Sequence, residues 1–369
     1  MKSAIKVCFI MPKAYPLFNS DCKEVFGGAE VDFFILATEL AKDKNFSVSF
    51  IVADYGQPSI ESRQNVTIIK SFSFKKNLIS RTMSLWRAMR QADAEIYLQK
   101  AVSWGTLFVA KFCKLHKRCF VYRTATAGEC NGTWPKKYFE RKAFWLSLRW
   151  ANSVLTQNVV DRKNLLSTLD VSSVAIPNGH VLSPPDQYNR ETILWVGRSD
   201  KLKRPDVFID LAEETPDERF VMICQHATGD NEYEKLTNRA RQIKNLEFIE
   251  RVSFTEIDSY FQKAKIFVNT SDMEGFPNTF IQACKSGTPI LSLNVNPDGF
   301  LDSHKCGLFA RGDWQTFKNQ LTELLSDSGD QYGQNARKYA EENHDITKII
   351  KLYKDIFYDL VRSDADNGS

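Results

Sequence analysis

No run of about 18 consecutive apolar residues occurs in the 369-residue chain, which excludes an ordinary membrane-spanning helix. There is no low-complexity tract, and 43% hydrophobic with 25% charged residues is the composition of a folded globular protein. The opening MKSAIKVCFIMPKAYP is interrupted by Lys6 and lacks a small-residue cleavage pattern, so it reads as a first β-strand rather than a signal peptide. The eight cysteines are scattered, and several lie inside apolar patterns where a thiol packs as a small hydrophobe. Cys113, His116 and Cys119 match no zinc spacing, and no second ligand pair follows them. Reduced thiols and a cytoplasmic location are the expectation. No G-x-G-x-x-G follows the first strand, which disfavours a dehydrogenase.

What is present begins with length, which exceeds the size at which one core keeps growing and predicts two domains. The formal charge of +4 is unevenly spread: residues 75–150 hold 16 Lys/Arg against 4 Asp/Glu, while residues 1–74 balance. Such a basic segment faces something anionic, and nucleic acid, anionic lipid and a phosphorylated substrate all qualify. No nucleic-acid motif accompanies the charge, so nucleic acid is disfavoured.

Strand-like and helix-like runs alternate along the first half. Strands are predicted at 5–10, 47–52, 66–69, 95–98, 119–123, 154–156 and 174–176, and helices at 29–42, 78–91, 104–116, 135–150 and 158–168. This βαβ alternation implies a parallel, doubly wound sheet. The Gly27-Gly28 pair at a helix start lets a ligand approach the backbone and the positive end of the helix dipole, or is a plain tight turn. In the helix around 135–150, Phe139, Ala143, Leu146 and Trp150 mark a core face, while Phe144 and Leu148 fall beside Lys137 and Arg141. That second face suits an anionic membrane surface, or else is buried like the first.

A polar stretch with Pro184-Pro185 reads as a linker at 182–190. The alternation then restarts with strands at 192–197, 220–225, 246–250, 266–270 and 289–293, and helices at 204–213, 231–243, 254–264 and 278–285. Arg198 and Lys203 follow the first of these strands, where open α/β sheets bind ligands. Arg198 can grip a phosphate with two parallel bonds and Lys203 acts as a point charge; a solvated basic loop is the plainer reading. Between strands 266–270 and 289–293 lies the acidic loop Asp272-Met273-Glu274-Gly275-Phe276-Pro277, leading into a short buried helix. A carboxylate and backbone amides at a helix N-terminus suit a polar, anionic ligand.

The order Gly27-Gly28-Ala29-Glu30, Pro177-Asn178-Gly179, Gly197-Arg198 with Lys203, Glu274-Gly275-Phe276 and Gly287-Thr288-Pro289 resembles a family 4 glycosyltransferase over nearly the whole chain. The form EGFPNTFIQA…GTPILSLNVNPDG is similar to that of bacterial enzymes building surface polysaccharides or glycolipids. The resemblance implies the GT-B architecture, two Rossmann-like domains facing a central cleft: residues 1–182 for the acceptor and 190–345 for the donor. A last helix, 346–362, would cross back to the first domain. It implies a nucleotide-diphospho-sugar donor (UDP- or GDP-linked), a glycan or lipid-linked acceptor, and transfer with retention of configuration. Arg198 and Lys203 would meet the diphosphate, so that no cofactor and no metal is required. The sole Asp-x-Asp, Asp364-Ala365-Asp366, lies in a polar tail expected to be disordered.

By the same resemblance Glu274 contacts the donor sugar's hydroxyls, and Gly27, Gly28, Gly197, Gly275, Phe276, Asn278, Thr279 and Gln282 line the donor site. Two positions depart from the pattern. Gln282 stands where a second carboxylate usually binds ribose, and can accept a hydrogen bond without charge assistance. The loop Arg123-Thr124-Ala125-Thr126-Ala127-Gly128-Glu129 has no His where many relatives have one. Arg123, Thr124 or Thr126 could take that contact; Glu129 is either an acceptor-side carboxylate or a solvated loop residue. The expected protein is a cytoplasmic retaining glycosyltransferase, at most peripheral on the inner membrane face. A nucleotide-sugar epimerase of the same fold and a non-catalytic nucleotide-sugar binder are the alternatives.

Overall fold

The computed structural model describes residues 4–182, 184, 189–227 and 229–367, with side chains through Ser363. Most of the 182–190 linker lies outside these residues. The chain divides into two compact units: the first runs through Val181 and resumes at Ile346, and the second is Leu182–Asp345.

The first unit comprises β1 (Ile5–Ile10), a short α1 (Tyr15–Phe18), α2 (Gly28–Leu40), β2 (Phe46–Val52), β3 (Ile60–Arg63), β4 (Val66–Lys70), α3 (Leu78–Ala92) and β5 (Ile96–Lys100). It continues with α4 (Thr106–Leu115), β6 (Cys119–Arg123), α5 (Ala127–Cys130), α6 (Tyr138–Arg149), β7 (Ser153–Thr156), α7 (Val159–Leu169) and β8 (Val174–Ala175). The strand order is β3-β4-β2-β1-β5-β6-β7-β8. All neighbours are parallel except β3, which pairs antiparallel with β4 at the edge and was not expected from sequence. Its IESR is short, polar and mostly exposed, so no apolar run announces it. One face of the sheet packs Phe9 and Phe50 against Phe33 of α2 and Phe18 of α1. The other packs Tyr97, Phe120 and Tyr122 with Leu85, Phe112 and Phe144 of α3, α4 and α6.

One expectation about this unit is corrected. In α6, Phe139, expected on a core face, is 82% exposed, while Ala143, Leu146 and Trp150 of that face are half-buried; Phe144 and Leu148 are buried, which is the second of the two readings of their face. Alternation of aromatic and basic residues gave both sides an apolar stripe, and the contact of Phe144 with the Tyr122 ring, 5.4 Å between centroids, decides between them. Helix α2 buries Val31, Asp32, Phe33, Phe34, Ile35, Leu36 and Ala37, because it is covered on more than one side.

The second unit holds β9 (Thr192–Arg198), α8 (Pro205–Glu214), β10 (Arg219–Gln225), α9 (Tyr233–Gln242), β11 (Leu246–Ile249), α10 (Ile257–Gln262), β12 (Ala264–Asn269) and α11 (Asn278–Lys285). After these come β13 (Ile290–Ser292), a 3-10 turn at Pro297–Gly299, α12 (Phe300–His304), β14 (Gly307–Phe309), α13 (Trp314–Leu325) and α14 (Ser328–Asn343). Its sheet, β11-β10-β9-β12-β13-β14, is parallel throughout. One core joins the sheet to α8 and α13, the other to α11, α12 and α14. Helices on both faces of a parallel sheet make this a doubly wound unit.

The chain then enters α15 (Ile346–Asn367), which rejoins the first unit. Its Phe357 meets Phe46 at 6.2 Å between rings, and Lys354 pairs with Asp43 at 2.6 Å. Gly179, in the loop after β8, packs against the start of this helix: an added Cβ would lie 2.6 Å from Cδ1 of Ile346 and 3.3 Å from its Cα, so a side chain there would push the helix away. The backbone of α15 is helical through Asn367, so the tail expected to be disordered at Asp364–Asp366 continues the helix instead.

Candidate active site

The edge of the second sheet where β9 and β12 end gathers the expected donor-binding residues. Gly197 closes β9 under the Trp195 ring; a Cβ there would lie 2.6 Å from that ring. Trp195 Nε1 donates to Thr270 Oγ1 at 2.9 Å, and that oxygen lies 2.7 and 2.8 Å from the carbonyls of Lys203 and Arg204. The amide of Asp272 donates to the Leu202 carbonyl at 2.8 Å. The loop after β9 is therefore stitched to the loop after β12, which carries Lys203 to Glu274.

Lys203 Nζ and Glu274 Oε1 form a direct ion pair, and Ser271 Oγ donates to the same carboxylate oxygen at 2.9 Å. Arg198, at the end of β9, is exposed and faces Asp200 across 3.4 Å. Arg204, in a left-handed conformation at φ 48°, ends the loop and pairs with Asp272 at 3.4 Å. The site is a lattice of opposite charges on one loop pair, in which Arg198 is more open to solvent than Lys203 or Arg204. Phe276 is buried against Phe300 and His344, ring centroids 5.2 and 4.9 Å away, so it can line a site only through its backbone. Asn278 and Thr279 open α11 and are half-buried; Gln282 is buried one turn further in. Gly275 is buried in the loop between Glu274 and Phe276. A helix N-terminus presents amides and a partial positive charge at that point.

Gly27 and Gly28 belong to the other unit, at the start of α2. There the Glu30 carboxylate accepts the Gly27 amide at 2.9 Å, a capping interaction that explains the Gly-Gly-x-Glu spelling locally.

The four residues offered for the acceptor side separate sharply. Thr126 is exposed; Arg123, Thr124 and Glu129 are buried. Arg123 lies inside an ion network: its Nε is 3.2 Å from Asp32, and its Nη2 donates to Asn178 and to the Ile176 carbonyl. Lys100 Nζ donates to Asp32 at 2.7 Å and Asn178 at 3.2 Å. Lys100 and Arg123 end neighbouring parallel strands in register, so two buried cations stand side by side with one carboxylate between them. Burial raises the Asp32 carboxyl, but Lys100 and Arg123 outweigh it and hold it below the usual range. Burial, aided by Arg123, lowers the Lys100 ammonium to about 8. This network was not anticipated, although IYLQK and CFVYR each end an apolar run in a cation, which is its visible signal.

Glu129 is not a solvated loop residue. It accepts the Tyr122 hydroxyl at 2.7 Å and the Ala125 amide at 3.3 Å. Burial pushes its carboxyl up to about 7 despite these bonds, the Val102 amide and the charge of Lys100. It ties the loops after β5 and β6 together. The tethering role of Thr270 was likewise missed; the signal was a polar residue directly after the buried strand AKIFVN. Among the described residues no group of three or more His, Cys, Asp or Glu is placed to hold a metal ion. Among the described residues no helix is long and apolar enough to cross a membrane.

Residues 184–343 match the family described as glycosyl transferases group 1. An uncharacterized glycosyltransferase of Haemophilus influenzae is 24% identical over 89% of this chain and 96% of its own length. The GtfA subunit of the UDP-N-acetylglucosamine–peptide N-acetylglucosaminyltransferase of Streptococcus parasanguinis is 23% identical; the match spans 53% of this chain and 41% of that protein. Sucrose-phosphate synthase from Thermosynechococcus elongatus superposes with a TM-score of 0.79 at 14% identity, covering 97% of this chain and 99% of that one. The fold is thus the α/β, parallel-sheet fold of GT-B glycosyltransferases. The part of the chain that matches the glycosyl transferases group 1 family, residues 184–343, is nearly all of the second unit.

Proposed function

We propose that this protein is a retaining glycosyltransferase of family 4, moving a sugar from a nucleotide-diphospho-sugar to a hydroxyl of a glycan or lipid-linked acceptor in bacterial surface polysaccharide synthesis. The observation that carries the reading is the Lys203–Glu274 ion pair at the strand ends of a group 1 domain, with Arg198 open beside it. Arg198 and Lys203 take the diphosphate, and Glu274, released from Lys203, takes the sugar's hydroxyls. The streptococcal relative's name specifies a UDP-sugar donor, which favours uridine here.

The bond between the anomeric carbon and the diphosphate oxygen breaks while the acceptor oxygen bonds that carbon from the same face. The acceptor's proton passes to the departing phosphate oxygen, so no protein base is needed and a nucleoside diphosphate leaves. The cations neutralise its growing charge, a role that otherwise falls to a metal. Activity that survives a chelator supports this, and loss restored by a divalent ion overturns it. The first unit takes the acceptor, and its basic character suits a peripheral place at the inner membrane face.

A nucleotide-sugar panel read by melting temperature is the primary test, since a ligand of the folded state raises it. UDP or a UDP-sugar should shift the midpoint; if no nucleoside diphosphate or sugar conjugate does, the reading fails. Glu274→Ala should cost about 10²-fold or more in turnover, the scale for a lost transition-state contact. Gln282 in place of a carboxylate favours one second reading, a nucleotide-sugar binder without turnover, and a wild-type protein that binds but never transfers would establish it.

A further inference from the structure

A cavity of about 440 Å³ opens in the first unit between the loop that follows β5 and the segment leading into α6. It stands at the strand-end edge of the sheet, where α/β units take ligands, and its volume is within the usual range for such sites. Its walls are Trp104, Leu107, Trp134, Pro135, Phe139 and Phe144. Trp104 is fixed by Phe72, 5.2 Å between ring centroids, so this wall is preformed.

The polar groups in the wall are engaged with one another. Ser103 Oγ accepts from Gln99 at 3.1 Å and from the Gly105 amide at 3.2 Å, and Thr106 Oγ1 accepts the Ser103 amide at 2.9 Å. Glu140 pairs with Lys137 at 3.4 Å. A glycan needs hydrogen-bond partners from its site; an apolar chain does not, and this wall offers mainly carbon. At the mouth Phe139 is 82% exposed, an aromatic that gains from being covered. Lys136, Lys137, Arg141 and Lys142 are exposed on the same segment, beside Pro135, Phe139 and Glu140 of the wall, so the chain that borders the cavity carries four cations against the one carboxylate of its lining.

We infer that this cavity binds the apolar chain of an anionic lipid, its phosphate held by the rim lysines, as the lipid part of the acceptor. The inference rests on the transferase reading for its purpose, but its geometry is independent of the donor site. A concave cavity takes one chain of a single molecule, whereas a bilayer surface is met by a convex face.

The probe is farnesyl phosphate below its aggregation concentration, followed by tryptophan fluorescence, since Trp104 and Trp134 line the cavity. Saturable binding is expected, about tenfold weaker for farnesol, and inorganic phosphate alone should give no signal. Phe139→Ser should weaken binding about tenfold with an unchanged melting temperature, and Lys136→Glu with Lys137→Glu should remove the preference for the phosphate over the alcohol. Equal affinity in Phe139→Ser, or no saturable binding in the wild type, overturns the inference. So does a protein that adsorbs to anionic vesicles yet ignores the monomeric probe, which would make the patch a membrane-docking surface. Nucleotide-sugar shifts are read separately: shifts without farnesyl phosphate binding sink this inference alone, and binding without shifts sinks the transferase reading and the acceptor role with it, leaving a lipid site.

Discussion

Glu129 shows how a single buried carboxyl can be read from either end of its titration. Its folded form holds a proton to about pH 7, whereas an unconstrained carboxyl releases it near 4.5. Between those values the folded state binds more protons than the unfolded one, so stability should fall as pH rises through that window. The cost, about 3 kcal/mol at most by linkage, persists above pH 7. Thermal midpoints from pH 4.5 to 8 should therefore decline more steeply in the wild type than in Glu129→Gln; parallel curves would refute the buried-acid account. Tyr122 and Cys130 beside it are themselves raised by burial, which leaves Glu129 to titrate in this range. At the donor edge the comparable fact is Lys203 held by Glu274: a phosphate arriving there exchanges one anionic partner for another. The motif spelling brought Glu274 and Lys203 to attention, but nothing in it said they touch, because their contact depends on the Thr270 and Asp272 bonds joining two distant loops.

At the scale of elements, α6 carries the clearest lesson. Its length and amphipathic character were legible, yet Phe139 was expected on a core face and is exposed, while Phe144 and Leu148, whose face was left open between membrane and core, are buried. A helix with aromatics on both sides has two nearly equivalent stripes, and only the neighbours choose. Phe144→Ala should cost about 3–5 kcal/mol in chemical unfolding, since it leaves a cavity under Tyr122. Phe139→Ala should change stability by less than about 0.5 kcal/mol. The reverse order would restore the face expected from sequence. Helix α11 is the opposite case: Asn278–Lys285 was placed residue for residue, because proline before it and glycine after it punctuate the chain. The missed strands and α-helices, α1, β3, α5, α12 and β14, are three to five residues long and have too few positions to establish a period.

The whole molecule is two separately cored units threaded by one chain whose last helix belongs to the first unit. Tyr353 and Phe357 of α15 are buried there, and Tyr353 lies over the Arg123 guanidinium at 5.8 Å. Deleting 346–369 should therefore destabilise the first unit while leaving the second folded, seen as two separated unfolding transitions by calorimetry. A single transition at the wild-type midpoint would show that α15 adds nothing to the first core.

The sequence by itself determined the two alternating α/β halves, the parallel sheets and the five ordered motifs, because strand period, glycine and proline act over a few neighbouring residues. Only the tertiary structure decided that Arg123 is spent on Asp32 and Asn178, that Glu129 is a buried acid, which side of α6 faces inward, and that Lys203 reaches Glu274. Each of these turns on residues brought together from separate strands and loops, where burial and opposing charge, rather than local spacing, set the outcome.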